Sequence, residues 1–212
     1  MLGPIEPAKV GMTTTHEHLL IDFGVVFKEP QAASQRQLMD EEVSLENLGW
    51  VRYNWNSNRD NLRILDEEIS TWEAQQYFNA GGSTIVDVTS VGLARDPQAL
   101  MRISRATGLN VVMGAGHYVH MTHPPELDDL TVEQIAGQII HDVDLGVGDS
   151  GIRSGIIGEI GCSWPWHESE KKVLEAAVIA QRETGAPLLI HPGRSERAPL
   201  ELLEAVDKWG GR

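Results

Sequence analysis

"SGIIGEIGCS", residues 154–163, is a run of isoleucine and small residues with one carboxylate, Glu159, near its middle. A strand with one wet face alternates apolar and polar side chains, and this one does not. Continuous apolar runs of this kind belong to parallel strands covered on both faces. Three further runs share the character: "GGSTIVDVTS" (81–90), "GLNVVMGAGHYV" (108–119) and "GAPLLIHPG" (185–193), each opening on glycine. "GMTTTHEHLL" (11–20) is the first strand of the series.

Helical patterns separate these runs. In 131–145, Val132, Ile135, Ala136, Ile139, Ile140 and Val143 make one apolar stripe, and Thr131 with Gln134 forms a capping box at its start. Val173, Leu174, Ala177 and Val178 mark a helix over 170–184, and Leu200, Leu203 and Val206 mark another that begins near Pro199. Leu62, Leu65, Ile69 and Trp72 predict a helix within 60–80. The alternation describes an α/β chain of five strand–helix units in a single domain, 1–212. Residues 22–59 break the rhythm: they are acidic in places and rich in Trp, Asn and Gln, which predicts an insertion after the first strand. In a βα barrel such loops lie at the C-terminal face and shape the pocket. Eight units typically need about 250 residues, so five units predict either a smaller α/β fold or part of a barrel.

Composition narrows the function. With 17 basic and 31 acidic residues the formal charge is −14, which disfavours nucleic acid and anionic membrane as partners. No window carries the ~18 or more apolar residues of a membrane span. "MLGPIEPAKVGM" (1–12) has neither the basic nor the apolar region of a signal peptide. One cysteine, Cys162, excludes an internal disulfide and fits a reducing compartment, so the expected setting is cytoplasmic.

Three places carry candidate chemistry. In "TTTHEHLLID" (13–22), His16 and His18 stand two apart on a strand and face one direction, with Glu17 on the other side. They are either two ligands of one divalent ion or two polar residues at a strand mouth. Glu159 sits among Ile156, Ile157 and Ile160, so it is either buried against a partner such as a metal pair or solvated at an early strand end. His191 ends "PLLIHPG" at a strand mouth, where it serves the site or merely caps the loop. Together they place metal-ligating groups at one end of three strands. His117 and Tyr118 lie near the mouth of the third strand as candidate substrate contacts, and Arg194 could hold an anionic group. His120, His123, His141 and His167 read as surface, Asp87 as pointing inward or bonding a neighbouring loop, and Cys162 as a small buried residue.

"THEHL", "GIIGEIGCSWP" and "IHPGR", in that order along the chain, resemble the phosphotriesterase-related proteins of the metal-dependent amidohydrolase superfamily. The resemblance implies a TIM (β/α)8-type barrel with about five of its eight units present, and two divalent ions, usually Zn2+, bridged by a hydroxide. It also implies that His16 and His18 bind the more buried metal, that His191 binds the other and that Glu159 bridges them. Bacterial phosphotriesterases typically carry a carboxylated lysine where Glu159 stands. Glutamate belongs to a related branch, so an N-acyl amino-acid or N-acyltaurine amidase is expected before a phosphotriesterase. The implied reaction is hydrolysis of an ester, amide or phosphoester bond in a small molecule. A fourth histidine and an aspartate are implied on the sixth and eighth strands, beyond residue 212. The competing expectation is therefore a truncated, catalytically inactive metal-binding fragment. A homodimer is left open.

Overall fold

The computed structural model describes residues 1–212. Five strands, β1 (Thr13–Glu17), β4 (Thr84–Asp87), β5 (Asn110–Ala115), β6 (Ile156–Gly161) and β7 (Leu188–His191), form one parallel sheet in the order β1-β4-β5-β6-β7. Between β1 and β4 lies a short antiparallel ribbon, β2 (Ile21–Asp22) with β3 (Arg63–Ile64). Each sheet strand lies beside the one before it, as in the winding of a barrel rather than of a doubly wound sheet. The sheet curls accordingly into an open half-barrel.

Helices α2 (Glu67–Asn79), α3 (Pro97–Thr107), α4 (Val132–Asp144), α5 (Glu168–Thr184) and α6 (Ala198–Lys208) alternate with these strands, and α1 (Leu48–Tyr53) lies in the insertion. Ile135, Ala136 and Ile139 of α4 and Val173, Leu174 and Ala177 of α5 pack on Ile157 and Ile160 of β6. Ala99, Leu100 and Ile103 of α3 pack on Ile85, Val111 and Met113. The predicted capping box of α4 is present, with both Thr131–Gln134 bonds made. The α3 helix, which the periodicity above does not single out, has its own punctuation. Asp96 accepts the Gln98 and Ala99 N–H groups, Pro97 occupies the first turn, and Gly108 closes the helix at φ 77°.

Two expectations shift. The first strand ends at Glu17, and its register against β4 slips between Thr14 and Glu17, so His18 stands just past the strand. The helix expected within 60–80 begins only at Glu67, capped by Asp66. Its predicted stripe is turned outward: Ile69 and Trp72 are exposed, while Ser70 and Ala74 are buried. Small residues let α2 lie close to the loop after β1, where the Ser70 hydroxyl donates to the Leu19 carbonyl at 2.6 Å.

Two glycines set the spacing beneath Glu159. A Cβ on Gly114 would stand 1.9 Å from the Gly158 carbonyl oxygen. One on Gly158, at φ +120°, would stand 2.2 Å from the Leu189 carbonyl oxygen.

Candidate metal centre

Glu159 enters the barrel interior from β6 with its side chain 3% exposed. Three imidazoles reach its carboxylate: His16 Nε2 stands 3.4 Å from Oε2, His18 Nε2 3.4 Å from Oε1, and His191 Nδ1 2.8 Å from Oε2. Ligand atoms of His16, His18 and Glu159 lie within 4.8 Å of one another, a compact group that His191 touches without joining. No Lys or Arg pairs with this carboxylate. Burial pushes the Glu159 carboxyl up, but hydrogen bonding from His18 and His191 and the charges of His191 and His16 outweigh it and hold the group at about 2.

The residues fit a metal ion on two counts. Thr89 Oγ1 lies 3.1 Å from the Leu20 carbonyl oxygen and 2.9 Å from His18 Nδ1, and so fixes the plane of the His18 ring. That orientation turns Nε2 toward a carboxylate oxygen, so a cation between the two would be held by both. The two 3.4 Å separations are also longer than a charge-assisted hydrogen bond. Two bonds of about 2.1 Å meeting at a tetrahedral angle span roughly 3.4 Å.

Asp87 does not reach the ligands. It is fully buried and accepts the Leu19 N–H at 2.7 Å and the Thr89 N–H at 3.1 Å, bonding the neighbouring loop and fixing both His18 and its orienting threonine. Thr89→Val removes the hydroxyl bonded to Nδ1 and frees the ring. Zinc affinity should fall by roughly 10–100-fold, the usual effect of losing an outer-shell partner, measured by competition with a chromogenic chelator.

Tyr118 stands at the same mouth, its hydroxyl 3.1 Å from His191 Nε2. Burial, then the Glu159 charge, pushes the phenol above its ordinary value, so it remains a protonated donor. Its ring meets Phe23 at 6.0 Å, and Phe23 stacks on Trp55 at 6.2 Å. The segment after β1 thus lays an aromatic wall beside Tyr118 and His191. Sequence reasoning placed the insertion here but missed Phe23, Trp55 and Thr89; the aromatic content of 22–59 was the available signal for the first two.

Arg194 is exposed and makes no ion pair. His117 is buried, its Nδ1 unpaired, and it lines a cavity of about 240 Å³ with Arg95 and Asp142 instead of the mouth. Desolvation first, then the charges of His123 and Arg95, lower its pKa from 6.5 to about 3. The unfolded chain therefore binds the proton that folded His117 refuses, and this contribution to stability is present above pH 6.5 and is lost as pH falls from 6.5 toward about 3. Denaturant midpoints over that window should fall less steeply in His117→Phe than in the wild type. Cys162 is buried and its thiol is pushed up to about 12, as befits a packing residue. His141 is exposed, as expected. His120 and His167 are exposed, as expected, whereas His123 is half-buried, and all three gather around Ser169.

The model of the phosphotriesterase family matches residues 1–211. The chain belongs to that family. Among its relatives, a phosphotriesterase-related protein of Nematostella vectensis is 41% identical over 212 residues, covering 99% of this chain and 61% of the relative. An N-acetyltaurine hydrolase of Homo sapiens is 40% identical over 211 residues, covering 99% of this chain and 60% of the relative. A resiniferatoxin-binding protein from Rhodobacter sphaeroides superposes with a TM-score of 0.97 at 35% identity, over 99% of this chain and 59% of that one. A phosphotriesterase homology protein from Escherichia coli, solved with phosphate in its active site, shares the fold with a TM-score of 0.72 at 24% identity, over 95% of this chain and 59% of that one. The chain spans about 60% of the length of the curated relatives it matches.

Proposed function

We propose that this phosphotriesterase-family chain serves metal-dependent hydrolysis of a small molecule, with an N-acyl amino-acid or N-acyltaurine amide as the substrate class. The observation that carries the reading is the convergence of His16, His18 and the buried Glu159, whose ligand atoms lie within 4.8 Å of one another, with His191 beside them. The substrate class is supported by relatives at 40–42% identity that are named N-acetyltaurine hydrolases. His16, His18, Glu159 and His191 would hold two divalent ions, Zn2+ by the chemistry of three imidazoles and a carboxylate. Bound there, the ions supply a water activated at neutral pH and polarise the scissile carbonyl.

The other work falls to the chain itself. Glu159 keeps its negative charge at the centre of the imidazoles. Thr89 and Asp87 hold the His18 ring in one orientation. Tyr118 donates its hydroxyl hydrogen at the mouth, where an acyl oxygen or leaving nitrogen would arrive. Phe23 and Trp55 cover the apolar part of the substrate and exclude water. Arg194 meets an anionic head group such as a carboxylate or sulfonate. The setting proposed is cytoplasmic, in one domain, with no nucleic-acid or membrane partner; no helix is long and apolar enough to cross a membrane.

The test is acetate release from N-acetyltaurine by the zinc-loaded protein, beside a phosphotriester and a chelated control, with bound zinc measured on the same sample. Metal-dependent acetate release with slower phosphotriester cleavage is the expected result. Zinc bound without turnover of either substrate would favour the competing reading, a metal-binding chain without catalysis. No bound zinc would remove both.

A further inference from the structure

Glu170, in the first turn of α5, is fully buried, and the chemistry proposed above leaves it unused. Its carboxylate is met by hydrogen-bond donors rather than by a Lys or Arg. One oxygen accepts the His120 N–H at 2.8 Å. The other accepts the Ser163 N–H and the Ser163 hydroxyl, both at 2.8 Å, and the His167 N–H at 3.2 Å. His120 lies on the loop after β5, and Ser163 and His167 on the loop after β6. A buried carboxylate is costly even when hydrogen-bonded, and what this one secures is the relative position of two loops at the mouth.

Ser169, one residue earlier, extends the grip. Its backbone N–H donates to His167 Nδ1 at 3.2 Å, which leaves the hydroxyl for the other loop. Ser169 Oγ accepts from His120 Nδ1 at 3.1 Å and donates its hydrogen to His123 Nδ1 at 3.2 Å. His123 Nε2 in turn donates to the Tyr118 carbonyl at 2.8 Å. The direction is fixed at the far end: a carbonyl only accepts, so Nε2 carries the ring hydrogen and Nδ1 accepts. An unbroken run of bonds therefore leads from the first turn of α5 to the backbone of Tyr118. On the other side that backbone lies directly against Gly161 of β6, with no room for a Cβ between them. The Tyr118 hydroxyl then stands 3.1 Å from His191 Nε2.

We infer that Ser169 and Glu170 are positioning residues for the reaction at the metal centre: acting through His120 and His123, they set where the Tyr118 hydroxyl stands. The inference rests on the donor role proposed for Tyr118. A donor that must meet an acyl oxygen or a leaving nitrogen loses roughly 10²-fold in rate when it is misplaced by about 1 Å. Ser169→Ala cuts the run of bonds at its middle and leaves His123 Nδ1 without a donor. It frees the Tyr118 backbone while Tyr118 and every proposed metal ligand stay intact.

The test uses protein in which tyrosine is isotopically labelled at the ring carbon that bears the hydroxyl. The chain has three tyrosines, so Tyr118→Phe assigns the Tyr118 resonance by its loss. Ser169→Ala should shift or broaden that resonance and leave those of Tyr53 and Tyr77 in place. In the zinc-loaded protein the same change should lower kcat for acetate release roughly tenfold or more, with KM little moved. In a Tyr118→Phe background it should cost nothing further, because the two residues act as one unit. If Ser169→Ala does not fold, His123→Phe, a half-buried loop change, should move the Tyr118 resonance in the same way. A Tyr118 resonance unmoved in the folded variants, or losses in kcat that simply add, overturns the positioning role. A wild type without turnover tells against the proposed function alone, since the resonance decides the positioning by itself.

Discussion

Glu159→Ala should abolish zinc binding at the first centre without destabilising the metal-free protein. The carboxylate contacts all three imidazoles, and losing an outer-shell partner alone weakens a metal by roughly 10–100-fold; losing the shared ligand should exceed that range. The effect on folding runs the other way. Glu159 is buried with no Lys or Arg partner, so removing it takes a costly buried carboxylate out of the fold and strands no Lys or Arg charge. In chelator the variant should melt no lower than the wild type. In zinc the wild type should gain stability through binding to the native state while the variant gains little. Melting curves with and without zinc, run beside elemental analysis, separate the two effects. A variant that unfolds in chelator would show Glu159 to be a structural residue instead.

Gly158→Ala should be among the most damaging small changes in the chain. The backbone at φ +120° is one that L side chains rarely adopt, and the new Cβ would meet the Leu189 carbonyl oxygen at 2.2 Å. Strain of this kind costs on the order of 1–3 kcal/mol, and the clash with backbone on β7 adds to it because no flexible side chain can yield. A loss above roughly 3 kcal/mol in denaturant unfolding is expected. Gly137→Ala is the control. That glycine is in the middle of α4 with open space around it, so alanine should stabilise by about 0.5–1 kcal/mol. Equal effects at the two positions would contradict the close approach of β6 and β7.

The parallel sheet was legible because β6 and its neighbours are apolar without alternation, a pattern that only two-sided burial explains. The grouping of His16, His18, Glu159 and His191 followed from strand periodicity and strand ends. It survived even though β1 stops at Glu17, because Asp87 and Thr89 hold His18 in line past the strand. Of these orienting residues Asp87 was legible as a bond to a neighbouring loop, but Thr89 was not, since its role depends on a loop folding back over 71 positions. The outward face of α2 was misread for a related reason: close helix approach favoured Ser70 and Ala74 over the larger apolar residues.

The histidine cluster shows a different limit. Across a strand end, positions three apart do not share a face, and the sequence reads these histidines as surface. The chain instead forms a 3-10 turn over His120–Thr122, in which positions three apart eclipse. That brings His120 and His123 to the same hydroxyl, and only the fold supplies His167 from the next loop.

The most direct measurement is anomalous scattering at the zinc edge from crystals of the zinc-loaded protein. A peak about 2.0–2.2 Å from His16 Nε2, His18 Nε2 and a Glu159 oxygen is the predicted result. Zinc found elsewhere in the crystal, with no peak at that position, would contradict the assignment of this mouth as a metal centre.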